Sequence, residues 1–421
     1  MFAKRERVDL NSTLNRTNVL VVVNSLELGG TQINAIDLAC ALKPHGFDSL
    51  LVGRRDPYNP DQSLLALANE RSVPIQVLDN VGTTLSYTRE LRYLAKRHHV
   101  KLVHTYGAWT ARYGFLGPGM FNRIPLVMTV YEMFVPPNVF VSPHLIVGTR
   151  YLLEDLVERR GPVHLISPPV NLTLDDVRHV QFNAFLRDRG LAPSHVRVVM
   201  VTRLAENMKA TSVEIAMRAV ERLRLPDIDL VIVGTGDAEP RLRQLAEEIN
   251  CTIGRRAIVL TGQLVDPRPA YASADIVLGM GSSAARSLAF GKPLVVVGEN
   301  GWSQTFTPKS ASTLFRDSFW SPSEIGNPIE LLCNQLGPLA LNPSLRIELG
   351  GFGRQFAEAN FGLEEMAARL AIIYREALVT GRQPWNWVLD LVRCEAVPAR
   401  DWLYRTLTFE RETPRDRKEQ N

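Results

Sequence analysis

Cysteine is scarce in this chain. Its four cysteines, Cys40, Cys251, Cys333 and Cys394, stand far apart, with no C-x-x-C pair and no histidine at zinc-ligand spacing. A disulfide framework and a cysteine-built metal site are thereby excluded, and the four read as reduced thiols. Charge of one sign is lacking too: 48 basic against 44 acidic residues leave +4, too little for nucleic acid as the main partner, although a locally basic pocket for phosphates stays open. No run approaches the roughly 18–20 apolar residues of a membrane span. The opening segment MFAKRERVDLNSTLNRTN has no apolar region of the kind a secretion signal carries, so the expected location is the cytoplasm. Also missing after the first apolar run is the G-x-G-x-x-G spacing, which removes the main support for a nicotinamide or flavin enzyme.

What is there is enough for two cores. At 421 residues the chain exceeds the roughly 250–300 at which single cores stop growing. Apolar residues at 45% and charged residues at 22% exclude a disordered chain. Short apolar runs alternate with helical periodicity: VLVVV at 19–23, a helix from about Thr31 carrying Ile33, Ile36 and Cys40, then SLLVG, PIQVL, a helix over 86–97, KLVHTY, PLVMTV, LIVGT and HLISPP. That alternation predicts a parallel sheet covered on both faces. A polar stretch over 173–194 reads as a linker with one helix near 182–189. A second series follows: VRVVMV, an amphipathic helix with Val213, Ala216, Met217 and Val220, DLVIVG, a helix with Leu242, Leu245, Ala246 and Ile249, AIVLTG, ADIVLG, a helix across 284–290, and PLVVVG. The expected fold class is α/β, with Rossmann-like domains over 19–172 and 195–360, a tail at 1–18, and C-terminal helices and tail over 361–421. The stretch from Trp385 reads as a helix on the core followed by a solvated tail, with a membrane or partner contact as the alternative.

In open parallel sheets ligands bind beyond the carboxyl ends of strands, where loops meet helix N-termini. Gly29 and Gly30 let a diphosphate or sugar approach the backbone there, or serve only as a tight turn. Arg203 and Lys209 bring two cations to the start of one helix, which suits a diphosphate leaving group; solvated loop cations are the alternative. Gly234 and Gly236 line the nucleotide or make a structural turn. Gly281, Ser282, Ser283 and Arg286 suit an anion at a helix N-terminus, unless a serine is only the N-cap. His104 and Tyr106 project to one side of a strand end, where His104 is either catalytic or acceptor-binding, or a core imidazole. Glu132 is a further cleft candidate. The D-x-D at Asp227 and Asp229 falls at the amino end of its strand and is set aside as a metal motif.

With these loops in order, the chain resembles the family 4 retaining glycosyltransferases of GT-B fold, from about Val19 to Leu378. VTRLAENMK, DLVIVGTGDAEPRL and IVLTGQLVDPRPAYASADIVLGMGSSAARSLAFGKPLVVVG follow the family's succession: Arg-Leu then Lys, a Gly-rich loop, an "Ala-Asp" strand and a closing Ala-x-Gly-x-Pro. The resemblance implies two parallel sheets facing a central cleft, with C-terminal helices returning to the first domain. It further implies that Arg203 and Lys209 hold the donor diphosphate, that Gly29 and Gly30 lie near the transferred sugar, and that backbone at Gln263 and Leu264 faces the base. HTYGAW resembles the acceptor-side loop, with Tyr106 where a second His often stands. One departure stands out. The family's two Glu residues, eight positions apart, correspond here to Leu278 and Arg286, and the second commonly contacts the donor ribose.

The implied activity is transfer of a hexose-type sugar from a nucleotide diphosphate, UDP favoured, to a cytoplasmic small-molecule, glycan or glycolipid acceptor. Retention is implied, with no metal and no cofactor beyond the sugar nucleotide; polysaccharide and natural-product biosynthesis both fit. A non-catalytic sugar-nucleotide-binding partner protein and a sugar-nucleotide epimerase on the same fold are the competing readings. A peripheral membrane contact and a homo-oligomer both stay open.

Overall fold

The computed structural model describes residues 16–27, 29–55, 63–79, 81–132, 134–137, 139–206, 209–380 and 386–394. The chain divides into two compact units, one of 1–147, 156–164 and 367–421, the other of 148–155 and 165–366. Most of the expected N-terminal tail, and the chain after 394, lie outside the described residues.

Seven strands form the sheet of the first unit: β1 (Thr17–Ser25), β2 (Phe47–Arg54), β3 (Ile75–Leu78), β4 (Leu102–Tyr106), β5 (Leu126–Val130), β6 (His144–Val147) and β7 (Val163–Leu165). They lie in the order β3-β2-β1-β4-β5-β6-β7, and the pairings from β3 across to β6 are parallel. The second unit repeats the plan with β8 (Val196–Val201), β9 (Ile228–Val233), β10 (Ile258–Leu260), β11 (Ile276–Gly279), β12 (Leu294–Val297) and β13 (Ser303–Thr305), in the order β10-β9-β8-β11-β12-β13. Only β13 runs antiparallel, on the open side of β12. In each sheet the order reverses beside the first strand, between β1 and β4 and between β8 and β11, and these are the points where doubly wound folds bind ligands.

The strands read as unbroken apolar runs because both their faces are covered. On β8, Val198 and Met200 belong to one core cluster and Val199 to the other. The first cluster is closed by the helix Ala210–Leu223, whose buried Val213, Ala216, Met217 and Val220 recur at helical spacing. Leu186 and Leu191 are buried in the other cluster, so much of the expected linker over 173–194 packs as part of the second unit.

After Met366 the chain rejoins the first unit. Within the helix Leu363–Thr380, Tyr374 packs edge-on against Phe47 with ring centroids 5.1 Å apart. A last helical segment, 386–394, supplies Trp387, stacked on Phe115 at 4.2 Å, and Asp390, which accepts backbone N–H bonds from Val141 at 3.0 Å and Ser142 at 2.6 Å. The aromatics from Trp385 onward thus include a core anchor. Removing it in Trp387→Ala should cost about 3–5 kcal/mol, read as a lower melting temperature of the full chain.

Candidate functional site

The loop after β8 carries both expected cations. Arg203 is exposed, whereas Lys209 is half-buried as the N-cap residue of the helix Ala210–Leu223, and its Nζ reaches the sulfur of Met280 in the loop after β11. Lys209 therefore stands at the switch point between β8 and β11. Burial pulls its ammonium below the ordinary lysine value; the Glu299 carboxylate opposes that shift, and the Arg203 guanidinium adds to it. Two cations that repel one another beside a helix N-terminus make a place for an anion.

Backbone apposition holds this loop. Thr202 N–H donates to the Val233 carbonyl (3.0 Å), Leu204 N–H to Thr235 (2.9 Å) and Ala238 N–H to Leu204 (2.9 Å). Such contact leaves no room for side chains at two positions. A Cβ on Gly234 would lie 1.8 Å from the Thr202 carbonyl oxygen, and one on Gly236 would lie 2.2 Å from that of Leu204; Gly234 also has φ +147°. These glycines face the neighbouring loop, which is the structural alternative to lining a nucleotide. Gly234 N–H in turn donates to Gly262 (3.0 Å), placing Gln263 and Leu264 next in the row. Arg203, Lys209, Gly234, Gly236, Gln263 and Leu264 are thus brought to one edge.

The loop after β11 is more self-contained. Gly281, at φ +56°, is the N-cap of the helix Ser282–Ala289. The Ser283 hydroxyl is taken up by the main chain before the helix, accepting from Met280 N–H (3.1 Å) and donating to the Met280 carbonyl (3.0 Å), while Ser282 is exposed. Arg286 lies further along that helix, and its Nε donates to Asp175 Oδ2 at 3.1 Å. Burial raises the Asp175 carboxyl above the usual range, and the Arg286 charge pulls back against it. Arg286 is therefore an ion-pair partner, and Leu278 is core.

In the first unit, His104 takes the place of the core imidazole, one of the two readings its sequence position left open. The residue is 1% exposed, its Nδ1 lies 2.7 Å from the Tyr374 hydroxyl and its Nε2 2.7 Å from the Thr129 hydroxyl, so both ring nitrogens are engaged inside the core. Burial lowers its pKa to about 3, which fixes a neutral imidazole. Tyr106 is buried as well, against His104 and Tyr131; an even-numbered offset along β4 put both side chains on one side, but that side is the interior. Glu132 is exposed beyond β5. Gly29 caps the helix Gly30–Ala41 with φ −110°, a conformation open to any residue, and a Cβ there would meet only the end of the Gln32 side chain, at 2.4 Å. Asp229, of the discarded D-x-D, is held by Arg255 (2.6 Å) and His195 (3.0 Å).

Residues 28–174 match the family model described as Glycosyltransferase Family 4, and residues 195–318 match that of Glycosyl transferases group 1. The chain is a glycosyltransferase. Solved structures agree on the fold. A glycosyltransferase from Rickettsia africae superposes with a TM-score of 0.70 at 16% identity, over 86% of this chain and 99% of that one. HepE of Anabaena, solved with UDP-glucose, gives 0.66 at 16% identity over 86% and 100%. Sucrose-phosphate synthase from Thermosynechococcus elongatus gives 0.63 at 18% over 87% and 100%. At these identities the likeness carries the GT-B architecture. No curated protein matches the sequence.

Two carboxylates beside these loops were not singled out by the sequence. Asp175 has no periodicity to mark it and is found only as the partner of Arg286. Glu299, which receives the Trp320 indole N–H at 2.8 Å, follows the carboxyl end of β12, and that position was the available signal. Two expectations follow. Arg286→Ala leaves the buried Asp175 without its nearest guanidinium and should cost about 2 kcal/mol, below the roughly 3–5 of a fully buried pair because Arg286 is 31% exposed; thermal melting reads it. His104, with a folded pKa of about 3 against 6.5 unfolded, contributes stability that is complete above pH 6.5 and declines as pH falls toward 3. Between pH 7.5 and 5.5 the wild type should lose about 1.4 kcal/mol more than His104→Gln, measured by denaturant unfolding.

Proposed function

We propose that this glycosyltransferase moves a hexose-type sugar from a UDP-sugar to a hydroxyl of a cytoplasmic acceptor, with retention of configuration and without a metal at the reacting bond. The observation that carries this reading is the pairing of Arg203 and Lys209 beside the N-terminus of the helix Ala210–Leu223, at the switch point of the second sheet. When the bond between the sugar's anomeric carbon and the diphosphate oxygen breaks, negative charge collects on the leaving group. An Arg fork, a Lys point charge and helix-terminal N–H groups stabilise that charge more than they stabilise the intact donor, which is the condition for acceleration. A front-face path passes the acceptor hydroxyl proton to the departing diphosphate as the new glycosidic bond forms, so no imidazole base is required, in keeping with the burial of His104. The UDP-glucose held by HepE makes uridine the first base to try. Gln263 and Leu264 are assigned to that base, and Gly29 and Gly30 to the neighbourhood of the transferred sugar.

The test is release of free nucleoside diphosphate from a panel of uridine, guanosine, thymidine and adenosine diphosphate sugars. We expect release from a uridine donor, reduced about a hundredfold or more in Arg203→Ala. Binding without release on any donor would favour the non-catalytic partner reading. A panel with neither release nor calorimetric binding would overturn the donor-site assignment.

A further inference from the structure

Away from the carboxyl edges, three ligand-type side chains from distant parts of the chain meet in the first unit. His144 opens β6, His164 lies on β7, and Glu376 belongs to the helix Leu363–Thr380. Each offers one ligand atom, and those atoms all lie within 4.8 Å of one another. The facing nitrogens, His144 Nδ1 and His164 Nε2, are 3.0 Å apart, and the two rings are parallel within 2°. Two nitrogens bound to one zinc ion, each at about 2.0–2.1 Å, stand about 2.9–3.4 Å apart. The observed separation lies within that range; with ring centroids 5.2 Å apart the two nitrogens stand nearly in line, as in an N–H bond between imidazoles, so a shared cation requires a small turn of each ring.

We propose that His144, His164 and Glu376 hold a divalent first-row transition cation, Zn2+ in the first instance. Two neutral imidazoles and one carboxylate form a donor set for such an ion, with positions left for water. Glu376 supplies the attracting charge; the Arg159 guanidinium nearby opposes it, and Asp390 offsets Arg159. A cavity of about 580 Å³, lined in part by His144, Arg159 and Asp390, gives access. The cluster sits at the amino end of β6, while the loops where sheets of this kind bind ligands follow the carboxyl ends. Its cation would fasten the returning helix to the sheet's edge strands and take no part in sugar transfer.

The experiment uses the full chain, stripped with a chelator and titrated with Zn2+ by calorimetry and with Co2+ by visible absorption. We expect uptake of one equivalent accompanied by a higher melting temperature. His164→Ala and Glu376→Gln should each weaken uptake about tenfold or more, whereas His98→Ala, at a helix end remote in sequence, should leave it unchanged. Glu376 is exposed, so its conservative variant tests the site without endangering the fold. Absence of uptake by the stripped protein, or uptake that neither variant lowers, would overturn the proposal.

Discussion

The second unit depends on a close backbone contact. The loop after β8 can carry Arg203 and Lys209 to the switch point only because the loop after β9 presents no Cβ at Gly234 and Gly236, where one would lie 1.8 and 2.2 Å from carbonyl oxygens. Glycine is costly in an unfolded chain, and here that cost secures three interloop N–H bonds. The main chain holds the loop that carries these cations, and among the described residues neither has a salt bridge of its own. That arrangement leaves the Arg203 fork exposed for a ligand and keeps Lys209 half-buried, where a charge counts for more than in water.

The ion pair of Arg286 fits the same electrostatic logic. An unpaired guanidinium at this position would add a third cation beside Arg203 and Lys209. Its bond to the buried Asp175 neutralises it within the protein instead. Glu299, close enough to raise the Lys209 ammonium, supplies a carboxylate from a different strand end, so the edge carries both signs of charge.

The two sheets were legible from the sequence because parallel strands buried on both faces read as short apolar runs, and the helices between them show a 3.6-residue period. The loops at strand ends were legible for the same reason. Side-chain direction was not. His104 and Tyr106 were rightly placed on one side of β4, yet periodicity cannot say whether that side is solvent or core, and Tyr374, 270 residues away, decides it. The Gly234 and Gly236 turn stayed open between a ligand loop and a structural turn because glycine is required equally where a phosphate and where another backbone approaches. Asp175 and the His144, His164 and Glu376 cluster were invisible because their partners are far away in sequence. β13 was too short and polar to signal a strand, and as an edge strand it has one side free of pairing.

The central claim is that Arg203 and Lys209 recognise a diphosphate, and calorimetric binding of UDP against uridine measures it most directly. Charge-assisted contacts of this kind contribute about 1.5–3 kcal/mol each. Wild-type protein should therefore bind UDP at least about a hundredfold more tightly than uridine, with most of that preference lost in Arg203→Gln and in Lys209→Met. A preference that both variants retain would contradict the account and move the diphosphate elsewhere on the protein.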